Sequence, residues 1–335
     1  MDSGILRYWN SRVGNNFKPQ TTNLMLSRIA DSLYWMNRYM ERADGLLRST
    51  ATHHILGMDK DANGISTWTP VLEVFAIMSK EEIARLENNT EAVLKKLLVD
   101  TKNENSLRTI INRARENARG AQDHITKEVW EEINQLFHLI NHPSLVEKLT
   151  SFRAIEVLKE LTGHTVMYAG IIDITMPRGN GWYFMSLGRY VERCLQTIML
   201  IEKELEVLHF SENDTNDILQ WRYLLLSLSG YELYLKAYHS SNHNYNVLHQ
   251  VLINGNFSRS IVYSLRRIDH YLGRITTDKN ADHAFLKTFG RLYAKVKYMD
   301  LETLNHLTIQ SFLHEIKTEL LNFNKQLQQQ FFSYS

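Results

Sequence analysis

The pentapeptide "RYMER" at 38–42 returns as "RYVER" at 189–193, 151 residues further along the chain. The same offset lays "NSLRTII" (105–111) over "NFSRSIV" (256–262) and aligns Arg108 with Arg259. Between these pairs, "WTPVL" (68–72) parallels "WRYLL" (221–225) at an offset of 153. Three ordered matches on nearly one diagonal are the signature of an internal duplication. Duplication constrains the fold strongly, because equivalent segments must find equivalent surroundings. The expectation is two similar halves packed about a pseudo-twofold axis, with the two motif helices facing each other or lining one groove. The halves are placed at 25–175 and 176–335, divided at the break "MPRGNG" (176–181), and the polar, aperiodic residues 1–24 form an N-terminal extension.

Within each half the apolar residues recur at helical spacing. Ile29, Leu33, Met36, Met40, Ala43 and Leu47 form one stripe, and a second runs from Leu301 to Leu327 on a long C-terminal helix. "SKEE" (79–82) reads as a capping box opening a helix. "NHPS" (141–144) and "HSSNHNYN" (239–246) read as breaks. Only four prolines and 15 glycines interrupt the pattern, and almost nothing alternates as a strand would. The fold class expected is all-α, a duplicated helical bundle forming one compact unit.

Composition narrows the function by exclusion. The 335 residues carry 38 basic and 37 acidic side chains, a net charge of +1, so a long basic face for nucleic acid is not expected. No apolar run is long enough to span a bilayer and the N-terminus lacks a signal core, which makes a cytoplasmic location the default. The single cysteine, Cys194, sits in an apolar helical pattern and reads as a small buried hydrophobe. His239 and His243 lie in an expected loop, and neither HExxH nor paired Glu-x-x-His occurs, so no metal site is expected. No phosphate-binding glycine loop follows a strand. No cofactor is assigned to this chain.

The chemistry-bearing feature is the charged constellation itself. Arg38 pairs with Glu41 at i,i+3 and stacks beneath Arg42 at i,i+4. As a solvated cluster this would contribute only ~0.3–0.5 kcal/mol. The duplicated helix, however, changed Asn37 to Gly188, Asp44 to Leu195, Gly45 to Gln196 and Arg48 to Met199, yet kept both arginines, the tyrosine and the glutamate. A solvated face has no reason to hold that set. Arg108 and Arg115 lie near one face of a second charged helix, Arg119 with them, and Arg259 replaces Arg108 in the second half. The expected anion-binding residues are therefore Arg38, Arg42, Arg108, Arg115, Arg189, Arg193 and Arg259, since the planar guanidinium fork suits carboxylate and phosphate. Two other readings stand beside it. Glu41 or Glu192 could act as general base in acyl or amide transfer, with arginines stabilising the oxyanion. Alternatively, the Glu-Arg pairs could be a purely structural network fastening the halves.

The segments "MLSRIADSLYWMNRYMERADGLLR", "ARENARGAQDHITKEVWEEIN" (114–134), "GWYFMSLGRYVER" (181–193) and "NFSRSIVYSL" (256–265) together resemble the alpha-E family, helical bacterial proteins named for a Glu-Arg motif. The resemblance runs from Met25 to the C-terminus and places the motif at Glu41-Arg42 and Glu192-Arg193. It implies a role beside a circularly permuted ATP-grasp ligase, often with a transglutaminase-like protein, in peptide synthesis or modification. ATP and magnesium would then belong to the partner ligase. The long C-terminal helix also suggests a homodimer.

Overall fold

The computed structural model describes residues 27–58, 68–150, 152–208, 215–276, 283–302 and 306–332. The expected N-terminal extension, 1–24, lies outside them. Every regular element among the described residues is helical. The first half contributes α1 (Ser27–Met58), α2 (Thr69–Phe75), α3 (Lys80–Leu86), α4 (Thr90–Leu98), α5 (Leu107–Gly120), α6 (Lys127–Ile140), α7 (Leu145–Leu149) and α8 (Ala154–Thr175). The second contributes α9 (Asn180–Val207), α10 (Thr215–Ser227), α11 (Tyr231–Ala237), α12 (His243–Leu252), α13 (Ile261–Ile275), α14 (His283–Lys297) and α15 (His306–Phe331).

Local signals set several of these ends. At Ser79 the capping box closes as the sequence predicts, with Glu82 N donating to Ser79 Oγ and Ser79 N to Glu82 Oε2. Ser106 and Ser260 cap α5 and α13 through the side-chain bond alone, accepting from Thr109 N and Tyr263 N. The segment 239–246, expected as a break, is one only in part. Asn242 caps α12 by accepting from Tyr245 N, and the helix begins at His243. The asparagine that reads as a loop former is here a helix start.

The long helices α1 and α9 are the centre. α1 packs against α9, α5 and α8, while α9 packs against α1, α13 and α15. The short helix α2 lies mainly on α9 and α10 mainly on α1, so the two halves interlock rather than stand side by side. Leu33, Met36, Ala43, Leu46 and Leu47 on α1, with Met185, Leu187, Val191, Cys194 and Ile201 on α9, are at most 1 % exposed. Burying such side chains contributes about 1.5–3 kcal/mol each. Cys194 is the buried hydrophobe that its pattern predicts, and burial pushes its thiol up. No helix among the described residues is long and apolar enough to cross a membrane.

Candidate functional site at the crossing of two Glu-Arg helices

Two glycines let α1 and α9 approach closely. A Cβ on Gly188 would collide with the Tyr34 backbone carbonyl, and one on Gly45 with the Gln196 side-chain amide. The contacts advance together, Tyr34 with Gly188 and Gly45 with Gln196, so the helices run parallel. This brings the two Glu-Arg dipeptides face to face.

They exchange partners. Arg42 donates to Glu192 from Nε at 2.6 Å and from Nη2 at 3.1 Å. Arg193 donates to Glu41 from Nε at 2.6 Å and from Nη2 at 2.9 Å. Each arginine also lies over the tyrosine of its own motif, Arg42 over Tyr39 and Arg193 over Tyr190. Around this shared core the two sides differ. Glu192 takes a second arginine, Arg38, through Nε at 2.8 Å and Nη2 at 2.7 Å. Arg38 also donates to Asn324 of α15 at 3.3 Å, and Tyr34 donates to the same oxygen. Glu41 takes its second arginine, Arg259, from the turn that leads into α13, at 3.4 Å. Arg259 bonds Asp44 as well, and Asp44 further accepts from Arg48 and from Thr165 at 2.9 Å each. Arg189, which the repeat aligns with Arg38, forms no ion pair among the described residues. Its Nη2 is buried without an acceptor there.

The titration follows the geometry. Burial pushes the Glu192 carboxyl up, but Arg42 and Arg38 outweigh it and hold the group at about 2. Burial likewise opposes ionisation of Glu41 and Asp44. Arg193 and Arg259 hold Glu41 below the usual carboxylate range, and Arg259 and Arg48 do so for Asp44. Arg259 is itself drawn down by burial, with the charges of Arg193 and Arg48 adding to the effect. A general base needs a carboxyl whose pKa rises towards neutrality. Both glutamates are instead locked as ionised acceptors, so the geometry argues against either as the base.

Two small cavities flank the crossing. One, of about 220 Å³, adjoins Arg38, Arg42, Asn105, Glu192 and Lys317 among apolar side chains. Its cations are engaged, Lys317 by Glu202 at 2.5 Å. The other, of about 170 Å³, is lined by Arg48, Arg189, Arg193 and Arg259 against Glu41 and Asp44. Thr165 and Tyr168 of α8 form its wall.

Five of the seven arginines expected on an anion groove, Arg38, Arg42, Arg189, Arg193 and Arg259, come together here. The other two do not. Arg108 donates to the Ile140 carbonyl at 3.1 Å, neutralising the C-terminal end of α6. Arg115 lies over Phe137, 4.4 Å from its ring centre, and bonds Asn134 at 2.7 Å. Their shared face turns towards α6 instead of α1, because α5 buries its apolar stripe against both. Asp44 and Arg48, which the duplicated helix does not keep, complete the constellation. The signal was present in the change of Asp44 to Leu195, which marks where the halves differ. Among the described residues no group of three or more His, Cys, Asp or Glu side chains is disposed to hold a metal.

A parallel helix crossing closed by reciprocal Glu-Arg pairs defines an all-helical protein built around its motif. A family model described as "a predicted alpha-helical domain with a conserved ER motif" matches residues 25–332. The chain belongs to the Alpha-E family. No curated protein and no solved structure matches it.

Proposed function

We propose that the chain is a substrate-handling component of a bacterial, cytoplasmic ATP-grasp-linked system for peptide synthesis or modification, and that it holds an anionic group at the crossing of α1 and α9. The observation that carries this reading is the excess of guanidinium over carboxylate around the smaller cavity. Pairing across the crossing accounts for Arg193 on Glu41 and for Arg48 and Arg259 on Asp44, and leaves Arg189 over. The association with a circularly permuted ATP-grasp protein, and with a transglutaminase-like protein, rests on the family resemblance. ATP and magnesium would be handled by the ligase.

The test is copurification from the native host followed by an ATP-consumption assay with and without this chain. The expected result is capture of an ATP-grasp protein whose substrate-dependent ATP turnover rises when the chain is present. Failure to capture such a protein, together with unchanged turnover on mixing, would remove the reading.

A further inference from the structure

We infer that the cavity beside Arg189 binds a single dianionic oxyanion group, a phosphate in type, with Arg189 as the cation held ready for it. This rests on the anion-handling reading above and narrows it to one side of the crossing and one class of ligand.

The equivalence of the two halves breaks at Arg189. In the repeat Arg38 aligns with Arg189, Glu41 with Glu192, and Arg42 with Arg193. Glu192 is gripped by both arginines of the opposite motif helix, Arg38 and Arg42. Glu41 is gripped by only one, Arg193, and its second place is taken by Arg259. Arg259 is drawn there by Asp44, whose counterpart is the neutral Leu195. In the first half the counterpart of Arg259, Arg108, turns away to a helix end. Two local changes thus displace Arg189 from its carboxylate and leave a guanidinium nitrogen enclosed without an acceptor.

Such a group is costly. An unmatched donor in a low-dielectric site forfeits its hydration, and a charged one more so. A lock between helices does not require it. The same cavity holds four arginines against two carboxylates, 4 − 2 leaving two positive charges unmatched. Both carboxylates are held ionised, so the excess persists at neutral pH. A phosphate carries about −1.5 to −2 and cancels that excess, whereas a monocarboxylate cancels half. Volume sets the other limit. At about 170 Å³ the cavity is smaller than the roughly 300 Å³ at which pockets begin to enclose whole drug-sized ligands. It therefore takes one anionic group and excludes a nucleoside attached within it. The opposite cavity, although larger, leaves none of its lining cations over, since Arg38 and Arg42 hold Glu192 and Lys317 holds Glu202, whereas the smaller one contains Arg189.

The experiment is titration calorimetry of the full chain with inorganic phosphate and with acetate, paired with thermal unfolding of the same samples. The variants are Arg189→Met and, as a control remote from the crossing, Arg113→Met. The expected result is one phosphate per chain, a melting temperature that rises with phosphate, and affinity for acetate at least about tenfold weaker. Arg189→Met is expected to weaken phosphate by at least about tenfold while leaving the phosphate-free melting temperature unchanged or higher. Arg113→Met is expected to bind as the parent does. Absence of saturable phosphate binding, binding that survives Arg189→Met, or equal affinity for acetate would each overturn the inference. A fall in phosphate-free stability on Arg189→Met would do so too, by making the residue part of the lock. The broader reading fails separately, in the ATP-consumption assay, and can fail while the phosphate site behaves as expected.

Discussion

On the Glu192 carboxylate two arginines of the opposite motif helix, Arg38 and Arg42, converge. Glu192→Gln leaves both in place with no charge to meet, and should cost about 3 kcal/mol or more by chemical denaturation. The pH dependence follows. Its folded pKa of about 2 lies below the ordinary 4.5, so the stabilisation is complete above pH 4.5 and disappears as pH falls towards 2. That interval corresponds to about 3 kcal/mol, and the Gln variant should lack this part of the acid transition. Glu204 behaves in the opposite sense. It is buried on α9 with Oε2 lacking a partner, and burial pushes it up to about 8. A carboxyl raised in this way costs nothing below pH 4.5, where folded and unfolded states are both protonated, and lowers stability as pH climbs from 4.5 towards 8. Glu204→Gln should therefore raise the melting temperature at pH 8 and leave it nearly unchanged at pH 4. Equal effects at both values would show that Glu204 is not neutral in the fold.

At the scale of the helix, glycines with identical chemistry are predicted to behave oppositely. Gly188 is the point where α9 touches the backbone of α1, and backbone cannot step aside as a flexible side chain can. Gly188→Ala should force the helices apart, destabilise by about 1–3 kcal/mol and loosen the Glu-Arg exchange. Gly170 on α8 meets nothing within 4 Å, so Gly170→Ala should stabilise by about 0.5–1 kcal/mol through helix propensity alone. Paired denaturation curves check both. The sequence shows the repeat in which Gly188 replaces Asn37, but not that α9 needs a glycine there. That demand comes from the interaxial distance, which only packing reveals. Arg108 and Arg115 teach the same lesson: their spacing places them on one face of α5, while the neighbour of that face is a tertiary fact. The motif arginines were easier to read because their echo could be compared position by position.

Across the whole molecule, the helical class was legible because stripes spaced at three and four residues run through nearly every segment, with caps such as Ser79 marking their ends. The interlocking of the halves was not. α2 on α9 and α10 on α1 are contacts between segments whose own patterns say only that they are amphipathic. For the site, similarity between repeats identified the residues that hold the crossing together but not their pairing: instead of meeting Glu41 on its own helix, Arg38 joins Arg42 on Glu192, and Glu41 takes Arg193. Their dissimilarity, Asp44 against Leu195 and Arg48 against Met199, located the side that differs.

The exchange of partners between Glu41-Arg42 and Glu192-Arg193 makes the two halves chemically incomplete when separated. Each would carry into solution a glutamate and an arginine shaped for mates on the other piece, along with the uncovered faces that α2 and α10 normally close. A chain cut within 176–181 should thus behave as a complementing pair. Fragments 25–175 and 176–335 are expected to stay unfolded or insoluble alone, and to recover helicity and a single 1:1 species by light scattering when coexpressed. Arg42→Glu in the first fragment should abolish that recovery. A fragment that folds stably by itself would mean that the crossing joins two finished units; reassembly would mean that this protein is, in effect, an obligate dimer whose subunits happen to share one peptide backbone.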